Sequence, residues 1–68
     1  MRKITEVGTY VRHTVKDGLF RVTHIYKDSR INFYFILEEV GDNDVGFSSG
    51  DEYIKEVLSK ETHPEYYL

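Results

Sequence analysis

The residues that could carry out catalysis are spaced in ways that predict no active site. Glu38 and Glu39 are adjacent, and successive side chains of a strand point to opposite faces, so these two carboxylates cannot act on one substrate. Ser48 and Ser49 have no histidine near them in the sequence. The chain also contains neither a Gly-x-Ser-x-Gly motif nor a phosphate-binding loop that ends in Gly-Lys-Ser/Thr. We therefore predict that the protein is not an enzyme and has no small-molecule substrate.

The candidate metal ligands are equally scattered. The three histidines lie in separate segments, too far apart in the sequence to propose a zinc site. Asp42-Asn43-Asp44 resembles the start of a calcium loop, yet Gly46 stands where a third oxygen ligand belongs and Tyr53 where the closing glutamate belongs. A turn explains this segment better. The sequence predicts no metal and no other cofactor.

Charge is divided unevenly along the chain. Residues 1–30 carry seven Lys/Arg and three Asp/Glu, a net charge of +4, whereas residues 31–68 carry two and nine, a net charge of −7. Cations interspersed with aromatic rings are typical of surfaces that bind nucleic acid, because cations meet phosphates and rings stack on bases. The cations of such a face would be Arg12, Lys16, Arg21 and Lys27. The overall charge of −3 disfavours this function, and solvated strand faces explain the same residues, so nucleic-acid binding is our alternative hypothesis.

Six tyrosines are more than so small a core can bury, which indicates a contact surface. Tyrosine is enriched at interfaces because it offers a large apolar face at low entropic cost. Tyr34 and Ile36 alternate on the side of a predicted strand that faces away from the core. Unless the C-terminal segment covers them, they form a site for a protein partner or a second copy of the chain. The partner-binding residues that we predict are Tyr10, Tyr26, Tyr34 and Ile36, with Glu38, Asp42 and Asp44 as an acidic rim that selects a basic partner.

The strand that positions this surface is Phe33–Leu37, five consecutive apolar residues. The run is too short for a buried helix and rich in residues that suit a pleated surface, so it predicts a central strand. The side chains on its core side are then Phe33, Phe35 and Leu37, and those on the opposite side are Tyr34, Ile36 and Glu38.

The strand before it is predicted to bend. Leu19–Lys27 is too long to lie flat in a small domain. Within it, Ile25 is one residue out of step with Phe20 and Val22. These two observations predict a bend or bulge near Thr23–His24. The other predicted strands are Val7–Val15, Phe33–Val40 and Val45–Ser48, joined by turns at Lys16–Gly18, where Gly18 takes a positive φ, at Asp28–Arg30 and at Gly41–Asp44.

The segment Gly50–Lys60 has two interpretations. Ser49 and Glu52 have the spacing of a capping box, and an apolar stripe at helical spacing follows, which favours a helix. The alternative is one helical turn at Gly50–Tyr53 and then a short strand at Ile54–Leu58 that closes the sheet. We favour the helix. Residues 61–68 have no period and contain the proline, which predicts a loose tail.

The order of these signals resembles the small SH3-like barrels and, among them, the layout of Tudor domains. The residues that carry the resemblance are Val7-Gly8, Asp17-Gly18-Leu19-Phe20, Val22 with Ile25, Phe33–Leu37 and Gly41-Asp42-Asn43. The resemblance implies a mainly β fold, a strongly bent antiparallel sheet of four or five strands that forms a small barrel over residues 1–60, with a short C-terminal helix or helical turn and a tail over residues 61–68. The places of the aromatic cage of methyl-reading Tudor domains hold Thr14, Phe20 or Arg21, Leu37, and Val40 with Asp42. At most one of these is aromatic, so the layout is Tudor-like without the cage.

Composition also predicts the compartment. The chain has no cysteine, so its small core must stabilise the fold without disulfides. The start, Met1–Glu6, has basic residues but no apolar stretch after them, so it resembles neither a secretion signal nor a membrane anchor. We therefore expect a soluble, cytoplasmic binding module that does not associate with membranes.

Overall fold

Five β-strands and two short 3-10 turns form the regular structure of residues 4–27, 32–41 and 46–68, the part of the chain that the computed structural model describes. The strands are β1 (Tyr10–His13), β2 (Phe20–Lys27), β3 (Phe33–Glu39), β4 (Gly46–Gly50) and β5 (Ile54–Leu58). The 3-10 turns are Asp51–Tyr53, between β4 and β5, and Pro64–Tyr67, after β5. The predicted mainly β character is therefore confirmed.

The five strands form one sheet in the order β4-β3-β2-β1-β5, and every neighbouring pair is antiparallel. The first turn predicted from sequence is confirmed, because Gly18 has a φ of 125°, a value that residues with a Cβ rarely adopt. β4 and β5 end the sheet, and they are not hydrogen-bonded to each other within the described residues. The antiparallel sheet is thus open along these two edges.

The predicted bend in β2 is confirmed as a β-bulge at Thr23. Val22 lies opposite Leu37 and His24 lies opposite Ile36, so β2 has one residue more than β3 between these two pairs. The Thr23 hydroxyl donates a hydrogen bond to the Ile36 carbonyl at 3.2 Å. The bulge resets the alternation of β2, which is why residues on both sides of it can reach the core.

The core lies on one side of the sheet. Its buried members are Ile4, Val11, Phe20, Val22, Phe35, Leu37 and Ile54, with Ile25, Phe47 and Val57 packed partly against them. Phe33, which we predicted on the core side, is 43% exposed because it lies at the end of β3, beyond the packed part of the sheet. The Lys27 ammonium lies 5.9 Å from the centre of the Phe33 ring and partly covers it. The core prediction holds for Phe35 and Leu37 and is wrong for Phe33.

The predicted helix over Gly50–Lys60 is wrong. The chain makes only the 3-10 turn Asp51–Tyr53 and then continues as β5, which pairs with β1. The first residue of the supposed capping box does not cap this turn, because the structure has no side-chain cap hydrogen bond there. A register shift between Arg12 and His13 in the β1–β5 pair lets Ile54 and Val57 both face the core, while Leu58 is buried on the other side of the sheet, so a bulged strand accounts for the apolar stripe.

The C-terminal residues, predicted as a loose tail, pack against the first strand. The backbone N–H of Tyr10 donates to the Tyr67 hydroxyl at 2.9 Å, and that hydroxyl donates to the Leu58 carbonyl at 2.6 Å. The Tyr10 ring lies 5.0 Å from the Tyr67 ring and 5.9 Å from the Tyr66 ring, measured between centroids. In the described part of the chain, no helix has the length and apolar character needed to cross a membrane.

Candidate partner-binding face

Four side chains of β2 and β3 lie together on the side of the sheet away from the core. Tyr26 lies directly opposite Tyr34, and His24 lies directly opposite Ile36. Opposite residues of an antiparallel pair share a face, and the bulge at Thr23 puts His24 and Tyr26 on the outer side. We call these four residues, His24, Tyr26, Tyr34 and Ile36, the aromatic face.

The rings of the aromatic face are nearly parallel. Tyr26 and Tyr34 have centroids 5.1 Å apart and planes inclined by 18°, and His24 and Tyr26 have centroids 6.0 Å apart and planes inclined by 6°. Offset parallel pairs of this kind are worth about 0.5–1.5 kcal/mol beyond their buried area, so the arrangement is stable without a ligand. Tyr26 remains 43% exposed and Tyr34 39% exposed. The rings therefore form a pre-organised apolar platform that solvent can reach.

Small residues of β4 border this platform. The residues opposite Tyr34, Ile36 and Glu38 on β4 are Gly50, Ser48 and Gly46, in that order. A Cβ at Gly46 would lie 3.0 Å from Ile36 Cγ2, so the Ile36 side chain already lies close to the bare backbone there. No long side chain of β4 rises between the aromatic face and the edge of the sheet, and an extended ligand can lie flat across it.

The carboxylate of Glu52, which the sequence predicted in a capping box, lies beside Tyr34. The Glu52 carboxylate occupies the space in which a Cβ of Gly50 would stand, and Gly50 is the residue directly opposite Tyr34. Glu52 makes no ion pair with any described residue, whereas Glu38 is paired with Arg21 at 3.6 Å. The sequence predicted that Glu52 belongs to a capping box. The only sequence feature that points to its actual position is Gly50, two residues earlier, whose missing Cβ leaves room for the carboxylate.

The structure brings together three of the predicted partner-binding residues. Tyr26, Tyr34 and Ile36 belong to the aromatic face, and Glu38 follows on the same side of β3. Tyr10 is separate, because the C-terminal turn packs its rings onto it. The C-terminal segment thus covers Tyr10, while Tyr34 stays exposed. The predicted acidic residues Asp42 and Asp44 lie outside the described residues.

The four cations of the alternative hypothesis each have a different neighbour. Arg21 pairs with Glu38, and Arg12 lies opposite Glu56 in the β1–β5 register. The Lys16 ammonium lies 4.4 Å from the centre of the Phe47 ring, in the turn before β2, whereas Lys27 is at the far end of β2. The fold distributes these charges over the sheet and does not gather them into one basic patch.

His13 and Ser49 form a contact that the sequence did not indicate. His13 Nε2 lies 3.0 Å from the Ser49 hydroxyl, while His13 Nδ1 accepts hydrogen bonds from the backbone N–H groups of Val15 (3.2 Å) and Lys16 (3.3 Å). A ring that accepts at Nδ1 carries its proton on Nε2, so His13 donates to Ser49, which in turn donates to the Gly50 carbonyl at 3.1 Å. A general base would need a free lone pair directed at the hydroxyl. The pair therefore fastens the β1–β2 turn to β4.

Neither metal ligands nor known relatives identify an activity. Among the residues that the structure describes, no group of three or more His, Asp or Glu side chains could hold a metal ion. Comparisons with protein-family models, with characterised proteins and with solved structures found no match to this chain. An inference about function therefore depends on the geometry of the aromatic face.

Proposed function

We propose that this protein is a small, non-enzymatic binding module that recognises a protein partner through the aromatic face. The observation that carries the proposal is the exposed, nearly parallel pair of Tyr26 and Tyr34 with centroids 5.1 Å apart. Paired rings lose little side-chain entropy on binding because each is already held by its neighbour. Ile36 and the small residues of β4 extend the platform sideways, so an extended segment of a partner can lie on it.

Electrostatics favour a protein partner over nucleic acid. Arg21, the cation next to the aromatic face, is already paired with Glu38, and the Glu52 carboxylate beside Tyr34 would repel a phosphate. The chain carries a net charge of −3, which further weakens attraction to nucleic acid. Parallel rings can also stack on bases, so nucleic-acid binding through Arg12, Lys16, Arg21 and Lys27 remains the second candidate.

The proposal includes an architecture of the SH3-like barrel type, Tudor-like in layout, for residues 1–60. Three features support it: the strand order, the sharp bulge in the second strand, and the 3-10 turn that joins β4 to β5. The candidate binding residues Tyr26 and Tyr34 are exposed on the outer side of this sheet. A cytoplasmic setting, suggested by the absence of cysteine, belongs to the same proposal.

A selection from a random peptide display library tests this function. Peptides selected on the wild-type protein should bind the variants Tyr26→Ala and Tyr34→Ala at least about tenfold more weakly, the loss that removal of a contact tyrosine typically causes. Tyr53→Ala is the matched control. Tyr53 is an exposed tyrosine (48%) that stacks on His13 and does not belong to the aromatic face. Circular dichroism verifies that each variant is folded.

Two results would contradict the proposed function. Selected peptides that bind Tyr34→Ala as tightly as wild type would place the binding surface elsewhere on the molecule. Oligonucleotide binding that weakens steeply with added salt and with Arg12→Ala or Arg21→Ala would favour the nucleic-acid alternative instead.

A further inference from the structure

Tyr34 and Glu52 place a ring and a carboxylate side by side at the margin of the aromatic face. Gly50 lies directly opposite Tyr34, and the Glu52 carboxylate lies over Gly50 on the same side of the sheet. Opposite positions in an antiparallel pair have their Cβ atoms about 4.5–5.5 Å apart, so the carboxylate and the Tyr34 side chain are immediate neighbours. Both groups are exposed, and Glu52 has no cationic partner among the described residues.

The combination suits one kind of ligand group. A tyrosine ring attracts a cation to its face, and a carboxylate beside it accepts hydrogen bonds from that cation. A guanidinium group satisfies both at once, because it is planar, stacks on an aromatic face and presents parallel N–H donors to a carboxylate. An ammonium group supplies the charge but neither the planar stacking nor the paired donors.

We propose that Tyr34 and Glu52 bind an arginine side chain of the partner. The inference rests on the proposed function and adds to it the chemistry that the partner must present. Charge complementarity identifies the occupant, because the Glu52 carboxylate beside the exposed Tyr34 ring has no cationic partner among the described residues, while Glu38, further along β3, is paired with Arg21 at 3.6 Å. The partner segment that lies on the aromatic face therefore carries an arginine at its β4 margin.

Gly50 positions the carboxylate. Any Cβ at this position would overlap the Glu52 carboxylate, so the Glu52 side chain lies against the sheet only because residue 50 lacks one. The backbone of Gly50 is extended, with φ −74° and ψ 162°, a conformation that alanine adopts without strain. Gly50→Ala thus keeps the fold and the negative charge but moves the charge away from Tyr34.

The test uses pools of short peptides with one fixed central residue. Each pool is an acetylated and amidated pentapeptide with uncharged, randomised flanking residues and Arg, Lys, citrulline or Leu at the centre. Citrulline keeps the planar shape of arginine without its charge. Ring and backbone signals of Tyr34, Tyr26 and Gly50 are followed by NMR, in the full chain, as each pool is added.

We expect the arginine pool to bind wild type about threefold to tenfold more tightly than the citrulline pool, the range that an exposed cation–π contact with a carboxylate supports. Glu52→Gln should abolish this preference and Gly50→Ala should reduce it. Glu61→Gln, which neutralises an exposed carboxylate in another part of the chain, should preserve it.

The outcomes separate this inference from the proposed function. Equal shifts of the Tyr34 signals by the arginine, citrulline and leucine pools would overturn the arginine site and leave binding by the aromatic face intact. Full arginine preference in Glu52→Gln would also overturn the site. Absence of any shift at Tyr26 or Tyr34 with all four pools would overturn both proposals.

Discussion

At the scale of single residues, His13 holds the β1–β2 turn to β4 only while its ring is neutral. Nδ1 accepts the backbone N–H groups of Val15 and Lys16, and a protonated Nδ1 cannot accept either of them. Burial of the ring and, to a lesser degree, the positive charge of Lys16 lower the pKa of His13 below its ordinary value of 6.5. The neutral form is therefore a structural element of the fold.

This lowered pKa predicts a loss of stability in mild acid. Between pH 6.5 and the lower pKa of the folded state, the unfolded chain binds a proton at His13 that the folded chain does not. The His13 contribution is thus fully present above pH 6.5 and is lost as the pH falls towards the folded pKa. Urea unfolding at several pH values should show this slope in wild type and a flatter profile in His13→Gln.

His24→Gln serves as the control for the pH experiment, because His24 is exposed on the outer face of β2. Its profile should keep the slope of wild type. The variant His13→Gln should also be less stable at neutral pH by about 1–2 kcal/mol, since it disturbs the acceptor of two backbone donors. An unchanged slope in His13→Gln would show that His13 does not titrate differently in the two states.

At the scale of elements, the bulge at Thr23 determines which side chains of β2 face outward. With Thr23 in place, strict alternation without a bulge would turn His24 and Tyr26 towards the core and Ile25 to solvent. Deleting Thr23 removes the extra residue itself, so His24 stays opposite Ile36 and Tyr26 stays opposite Tyr34 on the outer side. We expect this deletion variant to fold with its outer face unchanged and to lose about 1–3 kcal/mol of stability, because the Thr23 hydrogen bond and the local twist of the bulge are removed.

A milder variant separates the bulge from its hydrogen bond. Thr23→Val keeps the residue count but removes the hydroxyl that donates to the Ile36 carbonyl, and should reduce the free energy of unfolding by about 0.5–1.5 kcal/mol. Urea unfolding measures both variants. A deletion variant that lost the NMR contacts between Tyr26 and Tyr34 would show that the extra residue itself is needed to hold these rings on the outer side.

Strands β2 and β5 show when a local sequence pattern is enough to predict structure and when it is not. The one-residue offset of Ile25 predicted the bulge because the strand and its core face both belong to a short stretch of chain. The stripe after Gly50 was compatible with a helix and with a bulged strand, and the choice was made by pairing with β1, more than forty residues earlier. Local propensity contains no information about a strand partner that is so distant in the sequence.

At the scale of the whole molecule, the C-terminal turn joins the two strands β1 and β5. The Tyr67 hydroxyl accepts from the Tyr10 N–H and donates to the Leu58 carbonyl, so it bridges their ends as a further rung of the ladder. Leu58 is 3% exposed although it lies outside the main core cluster. The aromatic turn therefore creates a second, smaller packed region on the outer side of the sheet.

Removing this bridge should weaken the fold measurably. Tyr67→Phe keeps the ring contacts with Tyr10 but leaves two backbone groups without their partner, and should reduce the free energy of unfolding by about 1–2 kcal/mol. Tyr66→Phe is the control, since the hydroxyl of Tyr66 has no hydrogen bond within the described residues, and should change stability little. Equal stability of the two variants in urea would show that the bridge contributes nothing.

Contacts between residues that are distant in the sequence explain why the candidate site was predicted only in part. Tyr26, Tyr34 and Ile36 were predicted together because alternation and antiparallel pairing are enough to place them. Tyr10 was grouped with them, but the structure places it apart, because the rings of Tyr66 and Tyr67, which are 56 and 57 positions away, pack on it. Glu52 was overlooked for a related reason, since its place beside Tyr34 depends on the pairing of β3 with β4.

The position of β1 between β2 and β5 has a consequence for how the chain acquires its structure. β1 has two register pairs with β2 and four with β5, so most of its strand partners are synthesised more than forty residues after β1 itself. Closing so large a loop makes assembly slow compared with hairpin formation. On the ribosome, β2 and β3 can join as a hairpin early, whereas Val11 becomes enclosed only after β5 has emerged.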